Sequence, residues 1–238
     1  MSQDPSLVPS AGGAVAPADA RAGLFDIVIE FAGAWDAPLQ SAFVAAAARI
    51  EAAVLGDLPD VALPSADGAA AVVDDLVIRA ELPAMDGPGG MFGLSGPTLL
   101  RGDSLLPATA QMRFDAADAA ALASQGAWND VVLHEMLHCL GFGTLWAPKG
   151  LLVGAGYVGA AGLAEYAALG GAGPVPVEVT GGTGTAGLHW SEAAFGTELM
   201  TGWIGDAAPL SPLTVASLAD LGYGLAPRQA WPVDALYA

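Results

Sequence analysis

Two of the three histidines in this chain of 238 residues lie four positions apart, in His134-Glu135-Met136-Leu137-His138. Residues four apart in an α-helix lie on one face, with Cβ atoms about 5–6 Å apart. A helix here therefore points both imidazoles toward one ion. Glu135 lies about a quarter turn away, where it can hold a water bound to that ion. The spacing demands a fold that brings a third metal ligand to this helix, and it predicts metal-assisted hydrolysis.

The third ligand has to come from outside the helix. Gly141 follows His138 by three residues and can end the helix with a positive φ. His189 is the remaining histidine, and we expect it to complete a set of three histidines. A carboxylate from Glu165 or Glu192 is the alternative, because two histidines and a glutamate form another common zinc ligand set.

Three further stretches follow the His-Glu motif in a fixed order. They continue it to 134–146 (HEMLHCLGFGTLW), then 189–192 (HWSE), then 198–202 (ELMTG). In this order they resemble the leishmanolysin branch of the metzincin zinc metallopeptidases. In that branch a long insertion separates the glycine from the third histidine, and an ELM segment forms the Met-turn. The resemblance spans residues 25 to 230, approximately, and includes the C-terminal helix.

The resemblance implies a role for each site residue. His134, His138 and His189 match the ligands of one zinc ion per chain, Glu135 matches the catalytic base, and Met200 matches the methionine of the Met-turn. The implied function is a zinc-dependent endopeptidase that hydrolyses a polypeptide by Glu-assisted attack of a zinc-bound water. The alternative is a non-proteolytic, zinc-stabilised binding or adhesin module on the same fold. The intact Glu135 favours the enzyme, because a structural site needs no base.

The hydrophobic pattern predicts strands at 25–31, 76–82 and 108–115 and helices at 38–56 and 128–141. We expect an α+β, metzincin-like fold. A twisted mixed sheet with a backing helix and an active-site helix forms its N-terminal part, and a loop-rich, partly helical subdomain follows. We assign strand 108–115 to the sheet edge beside the active-site helix, where an extended peptide can pair through its backbone.

This pattern divides the chain into three parts. Residues 1–24 are rich in Pro, Ala, Gly and Ser and are predicted to be disordered or extended. Residues 25–143 form the N-terminal catalytic subdomain. Residues 144–238 form the C-terminal subdomain, with the insertion, the third histidine and the Met-turn. A short helix is predicted at 160–169, and a C-terminal helix runs between Ser211 as N-cap and Gly222.

The composition of the chain excludes several classes of binding partner. The chain has 25 Asp and Glu against 7 Lys and Arg, a formal net charge of −18, so it should repel nucleic acid and anionic membranes. Its longest apolar run, 151–164, is too short and too rich in glycine for a transmembrane segment. Cys139 is the only cysteine, which rules out an intrachain disulfide. No signal peptide is readable, yet a peptidase of this kind is expected to be secreted or extracellular.

Overall fold

A computed structural model describes residues 14–15, 23–63, 71–203 and 207–234 of the chain. It combines a five-stranded mixed sheet with two smaller sheets and six α-helices in these residues, so the expected α+β class is confirmed. The strands are β1 (Ala14–Val15), β2 (Ile27–Ala32), β3 (Val61–Leu63), β4 (Ala71–Val73), β5 (Leu76–Glu81), β6 (Gly93–Leu100), β7 (Pro107–Phe114), β8 (Leu152–Val153), β9 (Gly156–Tyr157) and β10 (Val175–Pro176). The helices are α1 (Ala37–Ala53), α2 (Ala116–Gln125), α3 (Trp128–Cys139), α4 (Ala160–Ala168), α5 (Glu192–Phe195) and α6 (Pro212–Leu221), with a 3-10 turn at Arg228–Ala230.

The large sheet has the strand order β1-β2-β5-β7-β6. Its three central strands run parallel, and β1 and β6 pair antiparallel at the two edges. In β2, Ile27, Ile29 and Phe31 are buried while Glu30 is exposed. This alternation is typical of a strand with one face against the core.

Helices α1 and α3 pack against each other and against the sheet. Helix α1 has Pro38 in its first turn, where proline's fixed φ suits a helix start. Its fully buried Phe43 meets Phe114 of β7 and Trp128 of α3 edge-on, with ring centroids 5.6 and 6.2 Å apart. Such pairs each add about 0.5–1.5 kcal/mol to area burial. The packing anchors the start of α3 to the sheet.

The edge strand beside α3 is β6, so the assignment of strand 108–115 to that place is wrong. The predicted strand exists as β7, but it lies between β5 and β6 with pairing on both sides. The true edge strand contains Gly93, Gly96 and Pro97, which weaken the strand signal in its sequence. Glycine and proline are tolerated in β6 because an edge strand needs only half of its backbone groups for pairing.

The C-terminal half is organised around buried aromatic side chains. The fully buried ring of Trp190 lies 4.7 Å from that of Trp146 and 5.2 Å from that of Tyr157, measured between centroids. Its Nε1 donates to Thr214 Oγ1 on α6 at 2.8 Å. The residue next to His189 is thereby fixed in the core.

The helices predicted for this half are confirmed as α4 and α6. Helix α6 begins with Ser211, whose hydroxyl accepts the backbone N–H of Thr214 at 3.2 Å. It ends at Gly222, where φ is 109°. Both ends therefore follow from capping chemistry that is readable in the sequence.

The predicted disordered or extended segment 1–24 lies outside the described residues, apart from 14–15 and 23–24. The boundary between 25–143 and 144–238 stays a prediction. Across the described ranges, no helix combines the length and apolar character that crossing a lipid bilayer requires.

Candidate metal centre

Helix α3 carries the His-Glu motif and buries it. His134 and His138 lie one turn apart and are 5 % and 6 % exposed. Their Nε2 atoms are 3.1 Å from each other. The helix ends after Cys139, and Gly141 then adopts a φ of 102°, as the sequence predicts for a glycine that turns the chain.

A loop from the C-terminal half brings His189 to these two rings. The backbone N–H of Trp190 donates to Met200 O at 2.9 Å, and that of Glu178 donates to His189 O at 2.9 Å. Close beneath this loop lies Gly143, where an added Cβ would collide with the carbonyl of Leu188. Two backbone hydrogen bonds and the close contact between Gly143 and Leu188 thus hold His189 in place.

The three Nε2 atoms form a nearly equilateral triangle. His189 Nε2 lies 3.1 Å from that of His134 and 3.0 Å from that of His138. A point about 1 Å outside the plane of such a triangle lies about 2 Å from all three atoms, which is the length of a bond between zinc and an imidazole nitrogen. The three buried histidines could therefore hold one metal ion.

Each imidazole is oriented by a backbone carbonyl. Nδ1 of His134 donates to Leu199 O at 2.7 Å, Nδ1 of His138 to Phe142 O at 3.0 Å, and Nδ1 of His189 to Thr185 O at 3.0 Å. A carbonyl can only accept, so the proton of each neutral ring resides on Nδ1. Three Nε2 lone pairs consequently point at one another, an arrangement that a cation stabilises.

Burial keeps these rings neutral. Burial and, to a smaller extent, the neighbouring His189 together lower the pKa of His134 to about 3. Burial and the two adjacent imidazoles hold the pKa of His138 well below its usual value, and burial lowers the pKa of His189 as well. Metal ligation requires neutral imidazole, so the cluster presents the correct protonation state at neutral pH. Imidazole suits zinc, copper, iron and nickel.

Glu135 is buried beside the cluster and is held by strand β6. It is 8 % exposed, and Ser95 Oγ lies 2.6 Å from its Oε2. Gly93 lies against the same side chain, since an added Cβ would come within 2.8 Å of Oε1. Burial raises the pKa of Glu135 to about 7, and the hydrogen bond from Ser95 acts in the opposite direction. A carboxyl group with this pKa is suited to both accept and return a proton near neutral pH.

The segment 198–201 supports the centre from the other side. Met200 is fully buried, and its carbonyl accepts the N–H of Trp190 at 2.9 Å. The buried carboxylate of Glu198 accepts the N–H of Met200 at 2.6 Å and the hydroxyl of Ser211 at 2.6 Å. The turn that contains the predicted methionine is thus tied both to the loop of His189 and to the start of α6.

The alternative third ligands lie elsewhere. The carboxylate of Glu165 binds Arg228 on the surface, with oxygen–nitrogen distances of 2.7 and 2.8 Å. In the described part of the chain, His134, His138 and His189 converge, and Glu192 does not belong to this group. Of the two sets that the sequence leaves open, the structure assembles the three histidines.

Sequence reasoning misses three residues that shape the site. Ser95 precedes Glu135 by 40 positions, and no motif links the two. Gly143 is visible in the sequence only as a second glycine after the helix, and nothing there indicates its close approach to Leu188. Glu198 stands in the ELM segment, but its sequence gives no sign that the carboxylate is buried and hydrogen-bonded.

The sequence matches no protein-family model and no curated protein.

Proposed function

We propose that this protein is a zinc-dependent endopeptidase of the metzincin type, similar to the leishmanolysin branch. One observation carries the proposal: three buried, neutral imidazoles converge through Nε2, with Glu135 buried in the same helical turn. Three protein ligands with an open fourth position distinguish catalytic zinc sites, whereas structural sites use four protein ligands. The ELM segment and the buried Met200 agree with a Met-turn.

A zinc ion held there would supply Lewis acidity, polarising a peptide carbonyl and making water more acidic. Glu135 supplies the proton transfers. Its carboxylate accepts a proton from the attacking water and then delivers it to the nitrogen of the leaving amine. The three Nδ1–carbonyl hydrogen bonds keep the imidazoles in place throughout, because they fix ring orientation and tautomer.

Strand β6 offers the substrate a place to bind. It is one of the two edge strands of the large sheet and packs against α3. One side of its backbone has no neighbouring strand within the described residues, so an extended polypeptide can pair with it there. Backbone pairing is independent of the peptide's side chains, which fits an enzyme that cleaves within polypeptides.

A zinc-stabilised binding module is the competing function, and Glu135 distinguishes the two. Burying a carboxyl group is costly, and a binding module has no use for one beside its metal ligands. We therefore test the base directly. Wild-type protein loaded with zinc should cleave members of a peptide library, read by mass spectrometry, and a chelator should abolish cleavage. Glu135→Gln should retain one zinc per chain while losing activity by several orders of magnitude.

Glu165→Gln is the matched control, because it makes the same chemical change at a glutamate that is paired with Arg228 and lies outside the histidine cluster. It should cleave like the wild type. A zinc-loaded wild type that cleaves no peptide would leave the binding module as the better proposal. Retained turnover in Glu135→Gln would show that the base is another residue.

Metal content tests the ligand set separately. His189→Ala should lose zinc about as severely as His138→Ala, since the three rings contribute equivalent nitrogens. Glu192→Gln should keep full zinc affinity. Elemental analysis after zinc reconstitution measures the zinc content of these variants. A His189→Ala variant with undiminished zinc affinity would favour Glu165 or Glu192 as the third ligand.

A further inference from the structure

Two residues on one face of strand β6 contact the side chain of Glu135. Residues two apart in a strand point the same way, which applies to Gly93 and Ser95. Ser95 Oγ lies 2.6 Å from Glu135 Oε2 and 2.8 Å from the Glu135 backbone oxygen. At Gly93 a Cβ would lie 2.8 Å from Oε1 and 2.9 Å from Cδ. One position thus holds the carboxylate with a hydroxyl, and the other admits it by having no side chain.

We propose that Ser95 is a positioning residue for the catalytic base, and that β6, through Ser95 and Gly93, sets the direction in which Glu135 meets the attacking water. This inference rests on the proposed function, since it assigns a role within that reaction.

The donor geometry supports this role. A serine hydroxyl has one proton, and here it faces two acceptors, the carboxylate and a helix carbonyl. Hydrogen bonds to an ionised acceptor are the stronger, so Ser95 donates to Oε2 while Glu135 is ionised. Oε1 is then the oxygen left to take the proton from water and return it. A glutamate side chain has several rotatable bonds, and fixing one oxygen removes much of that freedom.

The same strand has no neighbouring strand on its outer side within the described residues. A peptide paired with β6 would therefore lie on the element that aims the base. The substrate and the base would then both be held by β6. Their relative position would therefore not depend on the movement of loops. Such alignment matters because displacing a reacting group by about 1 Å can cost about a hundredfold in rate.

The first test separates chemistry from binding. In the zinc-loaded enzyme, Ser95→Ala should lower kcat by about 10–100-fold. KM should stay within about threefold of the wild type, because substrate pairing uses the backbone of β6. Zinc content should remain one per chain. Ser124→Ala is the matched control, since Ser124 likewise donates to a helix carbonyl, Ala121 O at 2.8 Å, on the exposed surface of α2. It should leave kcat and KM unchanged.

The second test does not depend on activity. A double-mutant cycle in melting temperature compares each β6 variant with and without Glu135→Ala. Ser95→Ala should lower the melting temperature by about 2–4 °C in the wild-type background and by less once the carboxylate is gone. Gly93→Ala should destabilise the wild type through its collision with the carboxylate, and Glu135→Ala should relieve that collision.

The outcomes distinguish the inference from the function it rests on. If the wild type cleaves peptides and Ser95→Ala has the same kcat, the function stands and the role of Ser95 is wrong. Additive effects in the melting-temperature cycle would also overturn that role, because they mean that Ser95 and Glu135 do not interact. If the zinc-loaded wild type cleaves nothing, the proposed function fails and takes this inference with it.

Discussion

At the scale of single residues, the site depends on backbone carbonyls and glycines as much as on its histidines. The carbonyls of Leu199, Phe142 and Thr185 each orient one imidazole. These acceptors come from three separate segments. Gly143, which follows Phe142, allows its segment to approach the loop between Thr185 and His189 closely. Small changes in backbone position at these points should therefore displace the three imidazoles.

Gly143 and Gly150 offer a matched comparison. Both have a φ of 69°, so alanine is strained equally at each, by about 1–2 kcal/mol. At Gly150 a Cβ would meet open space, whereas at Gly143 it would strike the carbonyl of Leu188, next to His189. We expect Gly143→Ala to weaken metal affinity by about 10–100-fold and Gly150→Ala to leave it unchanged. Competition with a chromophoric chelator measures both, and equal affinities would mean that the loop does not depend on Gly143.

Met200 should act through packing. Its side chain is fully buried, and we predict that its thioether lies beneath the imidazoles as a flexible apolar floor. Met200→Leu conserves volume and should cost under about 1.5 kcal/mol in the free energy of unfolding, with the metal retained. Met200→Ala should cost about 2–5 kcal/mol and loosen the site. Urea denaturation gives both values; a metal-bound structure with the sulfur on the metal, or far from the rings, would contradict the Met-turn assignment.

At the scale of elements, the turn 198–201 and helix α6 form one unit through a single carboxylate. Glu198 is 1 % exposed and accepts the N–H of Met200, the N–H and hydroxyl of Ser211, and the hydroxyl of Thr214. Burial raises the pKa of Glu198, while these donors act to lower it. The carboxylate is thus the hub on which the N-terminus of α6 and the predicted Met-turn both depend.

Removing this hub should be costly. Glu198→Ala leaves four donors without their acceptor in the core, and each unmet donor costs about 1–3 kcal/mol before relaxation. We expect a loss of at least about 3 kcal/mol in the free energy of unfolding. Glu165→Ala, which breaks an ion pair with the exposed guanidinium of Arg228, should cost under about 1 kcal/mol. Urea denaturation with an unchanged m-value checks both, and a similar small loss in the two variants would refute the role of Glu198.

Elements with strong local signals were predictable from the sequence, and those defined by long-range pairing were not. Ser211 and Gly222 mark the two ends of helix α6 in the sequence. Helix α3 is recognisable from its His-Glu motif. Strand β6 has two glycines and a proline, and only its pairing with β7 makes it a strand. The contact between Ser95 and Glu135 depends on that pairing, which explains why the histidines were predictable and the serine was not.

At the scale of the whole molecule, the excess of acidic groups makes stability depend on pH. Asp75 is one of the buried acidic residues: it is 1 % exposed, and its carboxylate accepts the N–H of Leu58 at 2.7 Å and of Asp26 at 2.8 Å. Burial raises its pKa from 3.8 to about 7, the two N–H donors oppose this, and the charges of Asp74 and Asp26 add to the rise. The folded protein therefore holds this proton to a higher pH than the unfolded chain does.

The sign of the effect follows from that difference. Between about pH 4 and pH 7 the folded state binds more protons at Asp75 than the unfolded chain does, so the contribution of Asp75 to stability is largest at the acidic end and is lost as the pH rises. Asp103→Asn removes the same charge from an exposed site and serves as the control. Between pH 4 and pH 8 the melting temperature of Asp75→Asn should fall less, or rise more, than that of the wild type or the control. Identical slopes in all three proteins would contradict the prediction.

The separation of His189 from α3 also sets the moment in biosynthesis at which the centre can exist. Ribosomes add about 5–20 residues per second. His189 follows His138 by 51 positions, so a nascent chain carries the first two histidines and Glu135 for about 3–10 s before the third ligand has been made. Throughout that interval the complete triad is missing, however well the first half has folded. By this topology the three histidines could hold one ion only after residue 189 has been synthesised and its loop has reached α3.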